Sequence, residues 1–406
     1  MLGEINLLTL DKVYHAAFVL KDVIRKTNLI NAPLINPESE IYLKTENLQI
    51  TGSFKVRGAY YKISQLSAEE KEKGVIACSA GNHAQGVALA AAKNGIRSLI
   101  CIPDGAPISK VEATKSYGAE VCLVKGVYDD AYKKACELQK ASGAAFIHPF
   151  NDPDVIAGQG TIGLEVLNQL PDVDAVIVPV GGGGLISGVA FAIKSLNPNC
   201  KVYGVQASGA ASMVKALEDR KVETLKSVST FADGIAVKCP GDLTYDLCSK
   251  YVDKVVTVTD DETATAILTL IEQHKLIAEG AGAVAVAAAM FNKVDVKGKK
   301  VVCLVSGGNI DVTILSRVID RGLLKAGRFG ELTIEMVDKP GQLREVSSMI
   351  ADHGANVVSV HHDRAGENTG INACYLRIRM ETRNHEHINQ IRKAITDAGF
   401  HIISNN

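Results

Sequence analysis

A single lysine, Lys55, stands in a setting that suits a nucleophile better than a solvated cation. It lies in the stretch TGSFKVRGAY, residues 51–60, behind a Thr-Gly-Ser turn signal from which a helix can begin at a polar cap. Partial desolvation and a nearby cation, for which Arg57 is the candidate, both favour the neutral amine of a lysine. An ordinary surface lysine at a helix N-terminus is the alternative, and this stretch alone leaves both interpretations open.

A run of four glycines provides a second chemical signal. Gly181–Gly184, followed by Leu185, ends an apolar strand and opens an amphipathic helix. Residues without Cβ let several backbone N–H groups converge on an anion at a helix N-terminus, where the helix dipole is favourable. The run lacks the spacing of a dinucleotide fingerprint, and Leu-Ile-Ser follows it where a P-loop has Gly-Lys-Ser/Thr. It therefore indicates a cradle for a phosphate monoester, with a structural tight turn as the alternative.

Two further turns of small residues follow apolar strands. The first consists of Ser79, Ala80, Gly81, Asn82 and His83. The second is Ser306-Gly307-Gly308-Asn309. Open α/β sheets bind ligands at the carboxyl ends of their strands, although an N-capped helix with Ser79 or Asn82 as the cap would use the same N–H groups. His83 by itself is more typical of a local hydrogen-bonding residue than of a general base.

The elements that position these turns form two patterns. Between residues 40 and 310, short apolar strands alternate with helices, as in Gly74–Gly95, which predicts βαβ crossovers, parallel sheets and two α/β lobes. From residue 331 the order is strand, helix, strand, strand, helix, strand, which is the ferredoxin-like split βαβ. We therefore predict a first part at residues 1–320, a linker at 321–330 and a small domain at 331–406.

Composition excludes several classes of partner. The chain has 44 basic and 45 acidic residues, which leaves no charge footprint for nucleic acid or an anionic membrane. We find no spanning apolar segment and no secretory signal, and the nine cysteines lack CxxC or zinc spacing, so we expect a cytoplasmic protein with core thiols and no metal site. His361 and His362, at the end of a surface strand, are interpreted as solvated.

Four motifs in this order resemble those of the fold type II pyridoxal phosphate (PLP) enzymes. They are Lys55 in TGSFKVRGA, Asn82 in SAGNHAQG, the GGGGL run and Ser306 in SGGN. Within that class the chain is similar to the serine/threonine dehydratase family over residues 5–320, which implies an α/β fold with two parallel-sheet lobes, like tryptophan synthase β. The last 75 or so residues resemble an ACT regulatory domain. This combination is typical of threonine dehydratases (threonine ammonia-lyases) with one C-terminal ACT domain.

The resemblance also implies a role for each motif. Lys55 would bind the cofactor aldehyde covalently and, once released, remove the Cα proton of the substrate. Asn82 would bond the ring oxygen of the cofactor, and Ser306 would face its pyridine nitrogen, leaving it largely unprotonated and favouring elimination over transamination. The backbone N–H groups of the Ser79–His83 turn would hold the substrate carboxylate. The cofactor phosphate would be bound by the N–H groups of Gly181, Gly182, Gly183, Gly184 and Leu185.

The expected reaction converts L-threonine to 2-oxobutanoate and ammonia, and L-serine to pyruvate. Ala80 stands where racemases of this family carry a proton-donating serine, so racemisation is disfavoured. No carboxylate occurs in residues 206–212, where metal-dependent members carry acidic residues, so a divalent metal is not expected. The alternatives are a β-replacement lyase such as a cysteine synthase, a serine racemase, or an amino-acid sensor built on the ACT domain.

The ACT resemblance implies a separate effector site. In that family two ACT domains pair across subunits and bind a small effector near the first loop, whose helix N-terminus suits a carboxylate. The matching residues here are Asp338, Pro340, Gly341, Gln342 and Leu343. We expect an amino-acid or nucleotide effector and a homodimer or homotetramer, with a purely structural dimerisation module as the alternative.

Overall fold

Two sheets carry the first unit of the chain. The computed structural model describes residues 8–364 and 373–405, and the chain divides into two units between Val312 and Thr313. The strands of the first unit are β1 (Leu29–Asn31), β2 (Glu40–Thr45), β3 (Val75–Cys78), β4 (Ser98–Pro103), β5 (Glu120–Val124), β6 (Ala145–Phe146), β7 (Ala175–Pro179), β8 (Lys201–Ala207), β9 (Lys254–Val258) and β10 (Lys300–Val305). One sheet has the order β1-β2-β10-β7-β8-β9 and the other β5-β4-β3-β6.

Both sheets are parallel except where β1 pairs antiparallel with β2. This confirms the predicted two-lobed α/β architecture. The lobes, however, are not the two successive halves of the sequence. The early strand β2 pairs in parallel with β10, so the larger sheet combines strands from both ends of the unit. The pairing also brings the end of β10, where Ser306 follows, beside the segment that leads to Lys55.

Helices cover both sheets and pack their apolar faces against them. They are α1 (Leu10–Leu20), α2 (Lys55–Ser64), α3 (Ala68–Lys73), α4 (Asn82–Lys93), α5 (Ile108–Ser116), α6 (Tyr128–Ser142), α7 (Pro153–Gln169), α8 (Gly184–Leu196), α9 (Ser212–Asp219), α10 (Asp242–Tyr251), α11 (Asp260–Thr269) and α12 (Gly280–Met290). In α12 every residue from Gly280 to Ala289 is buried, because its small side chains allow close packing on all sides. Among the described residues, no helix is both long and apolar enough to cross a membrane.

The second unit is a small α+β domain. Apart from Val312, the first residue of α13, it contains α13 (Val312–Lys325), β11 (Phe329–Val337), α14 (Gln342–Asp352), β12 (Asn356–Asp363), β13 (Ala373–Glu381), α15 (His385–Asp397) and β14 (His401–Asn405). Its antiparallel sheet has the order β12-β13-β11-β14, which confirms the predicted ferredoxin-like arrangement. The sequence predicts a linker at residues 321–330, but that segment contains the end of α13 and the start of β11. The leucines of this segment, Leu323 and Leu324, continue an amphipathic helix, so the first half of the segment is helical.

Candidate active site

Lys55 is the first residue of α2 and points its amine toward the end of β6. Its Nζ donates a hydrogen bond to the carbonyl of Pro149 at 3.1 Å and lies 5.3 Å from the centre of the Phe54 ring. Desolvation lowers the pKa of Lys55 to about 8, while the carboxylate of Glu279 acts in the opposite direction. The predicted polar cap is absent: the N-cap is Phe54, which makes no side-chain capping bond.

Arg57, the cation expected to favour a neutral Lys55, is occupied by two carboxylates. Its Nε lies 2.8 Å from Oε2 of Glu46 and its Nη1 lies 2.7 Å from Oε1 of Glu165. Arg57 and Glu46 are both fully buried. The expectation for Arg57 is therefore wrong, and burial is what lowers the pKa of Lys55. The ion pairs instead anchor the buried face of α2, the helix that begins with the lysine.

The Ser79–His83 turn presents a helix N-terminus. Helix α4 begins at Asn82, and its N-cap is Gly81, without a side-chain capping bond. Ser79 Oγ accepts a hydrogen bond from the N–H of Gly81 at 3.1 Å. The alternative prediction, that Ser79 or Asn82 caps the helix, is therefore wrong. His83 is buried, bonds the carbonyl of Ile147 at 2.8 Å, and has a pKa lowered to about 3 by burial and by Lys55. It is thus a neutral, local hydrogen-bonding residue.

Asn82 is held on both sides, by Asn309 of the SGGN turn and by Glu279, a residue that the sequence did not single out. Its Nδ2 donates to Oε1 of Glu279 at 2.7 Å, and its Oδ1 accepts from Nδ2 of Asn309 at 2.8 Å. Glu279 is buried, and burial together with the charge of Asp233 raises its pKa to about 7. A buried carboxyl group with a raised pKa is a candidate functional residue. The only hint in the sequence is its position directly before the buried helix α12.

The four glycines follow β7 and start α8. Gly183 is the N-cap, with a φ of 99° that an L side chain rarely adopts, and Thr244 Oγ1 donates to the carbonyl of Gly182 at 2.6 Å. A Cβ on Gly182 would lie 2.4 Å from the Phe150 ring, and one on Gly184 would lie 2.8 Å from the Phe150 Cα. The backbone therefore packs against Phe150, the neighbour of the proline whose carbonyl binds Lys55. The N–H groups of the first turn of α8 have no partners within the helix.

The turn that begins at Ser306 contacts both the segment before Lys55 and the Ser79–His83 turn. Ser306 is buried at the end of β10, and its Oγ donates to the carbonyl of Ala281 at 3.3 Å. Its own carbonyl accepts from the N–H of Phe54 at 3.1 Å, directly before Lys55. A Cβ on Gly307 would lie 2.5 Å from Oε1 of Glu279 and 3.1 Å from Nδ2 of Asn82. The four sequence motifs thus converge at the carboxyl ends of β3, β7 and β10, the edge where such sheets bind ligands.

The predicted effector residues lie in the second unit, after β11. Helix α14 begins at Gln342 behind Gly341, whose φ is 98°. The side chains of Asp338, Pro340 and Leu343 are exposed. Asp338 Oδ2 pairs with Nε of Arg364 at 3.0 Å. The loop therefore presents a helix N-terminus to solvent beside an acidic side chain.

Comparison with known proteins places this geometry in a family. The model of the family described as pyridoxal-phosphate dependent enzyme matches residues 20–307, and that of the ACT domain matches residues 330–400. The chain belongs to the pyridoxal-phosphate dependent enzyme family and carries an ACT domain, as the resemblance predicted. It is 50% identical over 398 residues to an L-threonine ammonia-lyase of Thermotoga maritima, covering 98% of this chain and 99% of the relative.

Solved structures show the same fold. The processed form of threonine deaminase isoform 2 from Solanum lycopersicum matches with a TM-score of 0.73 and 40% identity, over 77% of this chain and 89% of that one. A maize serine racemase matches with a TM-score of 0.73 and 35% identity, over 78% of this chain and 98% of that one. The predicted fold type II class is confirmed. The fold itself is shared by enzymes with different reactions, so the reaction must be argued from the site.

The residues of the site fit PLP, the cofactor of this family. The Lys55 amine is partly desolvated and has a pKa within reach of neutral pH, as covalent attachment to an aldehyde requires. The glycine backbone is closed on one side by Phe150 and Thr244, and the N–H groups at the start of α8 suit a phosphate. Ser306 provides a hydroxyl rather than a carboxylate at the buried end of β10.

Proposed function

We propose that this chain is a PLP-dependent L-threonine ammonia-lyase that eliminates the β-hydroxyl of L-threonine to give 2-oxobutanoate and ammonia, and that it converts L-serine to pyruvate. The observation that carries the proposal is the convergence of a desolvated lysine amine with a glycine-lined helix N-terminus through Pro149 and Phe150. The near full-length similarity to L-threonine ammonia-lyase supports the same reaction. The first unit is the catalytic part and the second the regulatory part.

In this proposal each motif holds one part of the cofactor or substrate. The N–H groups of Gly181–Leu185 bind the phosphate, and Ser306 faces the pyridine nitrogen. Asn82, whose Nδ2 has a second proton beyond the one given to Glu279, bonds the ring oxygen. The N–H groups at the start of α4, in the Ser79–His83 turn, bind the substrate carboxylate.

Lys55 is the base that takes the Cα proton. When bound, PLP supplies an electron sink for the electrons that the Cα–H bond leaves behind. A pKa of about 8 leaves half of the lysine neutral at that pH, whereas an unperturbed pKa of 10.5 would leave about one part in 300. At pH 8, burial therefore raises the fraction of the neutral, reactive amine about 150-fold without requiring a neighbouring base.

Elimination rather than racemisation follows from the turn at α4. Ala80 carries no proton donor, and neither does the adjacent Gly81. His83 donates its ring N–H to a carbonyl and stays neutral, so it is not a substitute for the missing donor. In our proposal Lys55 acts as the sole base at Cα. We expect the formation of D-serine from L-serine to be far slower than the release of pyruvate.

The decisive experiment is turnover by the purified holoenzyme. We expect a visible absorption band from the lysine-bound cofactor, 2-oxobutanoate from L-threonine, and no cysteine from O-acetylserine plus sulfide. The Lys55→Ala variant should lose both the band and the activity. A variant that keeps full activity would contradict the role of Lys55, and O-acetylserine turnover faster than that of threonine would favour a β-replacement lyase.

The ACT unit supports a second proposal, control by a small amino acid. The helix N-terminus at Gly341 and Gln342 suits a carboxylate, and its loop residues are exposed. We propose that the enzyme assembles as a homodimer or homotetramer and that its rate responds to isoleucine, valine or a nucleotide such as AMP. Initial rates and thermal stability measured with each compound test this. If none of them changes either quantity, the ACT unit is a structural module.

A further inference from the structure

Three side chains with metal-binding atoms meet on one face of the ACT sheet. They are Asp338, which follows β11, His362 in β12 and Cys374 in β13. One ligand atom from each lies within 4.8 Å of the other two. Nε2 of His362 is 4.0 Å from Oδ1 of Asp338. None of these residues takes part in the catalytic site described above.

The register of the sheet explains why the three meet. Cys374 pairs with Met336 and His362 pairs with Leu376, on neighbouring strand pairs. Side chains two positions apart point to the same face of a sheet, so the ligands at 338, 362 and 374 share the face that buries Met336 and Leu376. The histidine beside the cluster, His361, lies one position away and is therefore on the opposite face.

We propose that Asp338, His362 and Cys374 form a binding site for a divalent transition metal of the zinc class. Thiolate, imidazole and carboxylate are the three ligand types that zinc uses in proteins, and three such ligands leave a fourth position open. In a tetrahedral site with ordinary bond lengths, nitrogen and oxygen ligand atoms lie about 3.3 Å apart and each lies about 3.5 Å from a thiolate sulfur. The observed 4.0 Å between Nε2 and Oδ1 must therefore shorten by about 0.7 Å, and the separations from the sulfur, all within 4.8 Å, by no more than about 1.3 Å.

A neighbouring side chain orients the carboxylate of this site. Arg364 binds Oδ2 of Asp338 at 3.0 Å, which leaves Oδ1 turned toward His362. A partner of this kind orients a ligating carboxylate. Cys374 is only 1% exposed, so its sulfur is reached from the side of Asp338 and His362. On binding, the thiol gives up its proton to solvent and a metal–sulfur bond forms, with no change of oxidation state.

The test is a titration of the full-length holoenzyme with Co²⁺, under a non-thiol reductant and after treatment with a chelator. Difference spectra against the metal-free holoenzyme remove the absorption of the cofactor. We expect one Co²⁺ per chain, with a near-ultraviolet thiolate band and visible bands of a four-coordinate ion. Competition with Zn²⁺ should abolish these bands.

Three variants locate the ion. Cys374→Ser should remove the thiolate band, His362→Ala should weaken Co²⁺ binding at least tenfold, and His361→Ala, the matched control on the other face, should bind as the wild type does. The remaining cysteines stay in place, so any band that persists in Cys374→Ser comes from another thiol. Such a band, or the lack of one in the wild type, overturns the proposal, as does unchanged binding by a folded His362→Ala.

Discussion

Replacing one glycine of the proposed phosphate cradle gives the most direct test of the proposed cofactor site. In Gly184→Ala the new Cβ would lie 2.8 Å from Cα, Cβ and the carbonyl oxygen of Phe150. Since carbon atoms in contact are about 3.5 Å apart, α8 or Phe150 must move by roughly 0.7 Å. Two of the three atoms belong to the backbone, so a side-chain rotation of Phe150 cannot relieve the contact.

A shift of this size is enough to break a hydrogen bond. An N–H···O distance of about 2.9 Å would become about 3.6 Å, which lies outside the bonding range. A hydrogen bond to a charged group contributes about 1.5–3 kcal/mol, so the loss of one should weaken PLP binding about 10- to 100-fold. The control is Gly105→Ala, where a Cβ would meet no atom within 4 Å, and we expect wild-type affinity there.

The assay is the titration of apoenzyme with PLP and, separately, with pyridoxal, which lacks the phosphate. Gly184→Ala should lose affinity for PLP and keep its affinity for pyridoxal, because only the phosphate contacts are displaced. An affinity for PLP within twofold of the wild type would refute the clash argument. An equal loss for both ligands would instead place the damage outside the phosphate cradle.

Three further outcomes follow from the charges around the site. In the apoenzyme, the rate of amine labelling at Lys55 should rise with a midpoint near pH 8, because desolvation lowers that pKa; a midpoint near 10.5, measured by peptide mass analysis, would contradict it. Glu279→Gln removes the charge that raises the pKa of Lys55, so the same midpoint should fall; an unchanged midpoint would mean that Glu279 is already protonated. Arg57→Met leaves the buried Glu46 without its partner and should lower the free energy of unfolding by about 3–5 kcal/mol in denaturant titration, while a loss below about 1 kcal/mol would show that the ion pair is not anchoring α2.

The main motifs could be predicted from the sequence because each depends on residues close together in the chain. The glycine run and the turns at Ser79 and Ser306 each follow a short apolar strand, and parallel strands place such turns at one edge. The helix start at Lys55 was less predictable in detail. Its N-cap is Phe54, whose N–H donates to the carbonyl of Ser306, more than 250 positions away. A local rule for polar caps cannot include such a partner.

The roles of Arg57 and Glu279 depend on burial, which residue spacing does not reveal. Arg57 is only two positions from Lys55, and proximity in sequence suggested that its charge acts on the lysine. In the structure its charge is neutralised by Glu46 and Glu165. Glu279 is more than 220 positions from Lys55, yet its charge acts on that amine. Tertiary contacts decide which charges act on a side chain. The sequence therefore suggested Arg57, which does not act on Lys55, and gave no indication of Glu279, which does.

The proposed metal ligands also could not be recognised from their spacing in the sequence. Zinc motifs are recognised from sequence when ligands share one loop or helix, which fixes a short spacing between them. His362 and Cys374 lie in the neighbouring strands β12 and β13, and Asp338 directly follows β11, the next strand in the sheet. Their separations along the chain are set by the lengths of a helix and connecting segments. The informative quantity is the strand register: a slip of one residue in β12 would bring His361 to the ligand face in place of His362. A metal site of this type can be read only after the pairing of the strands is known.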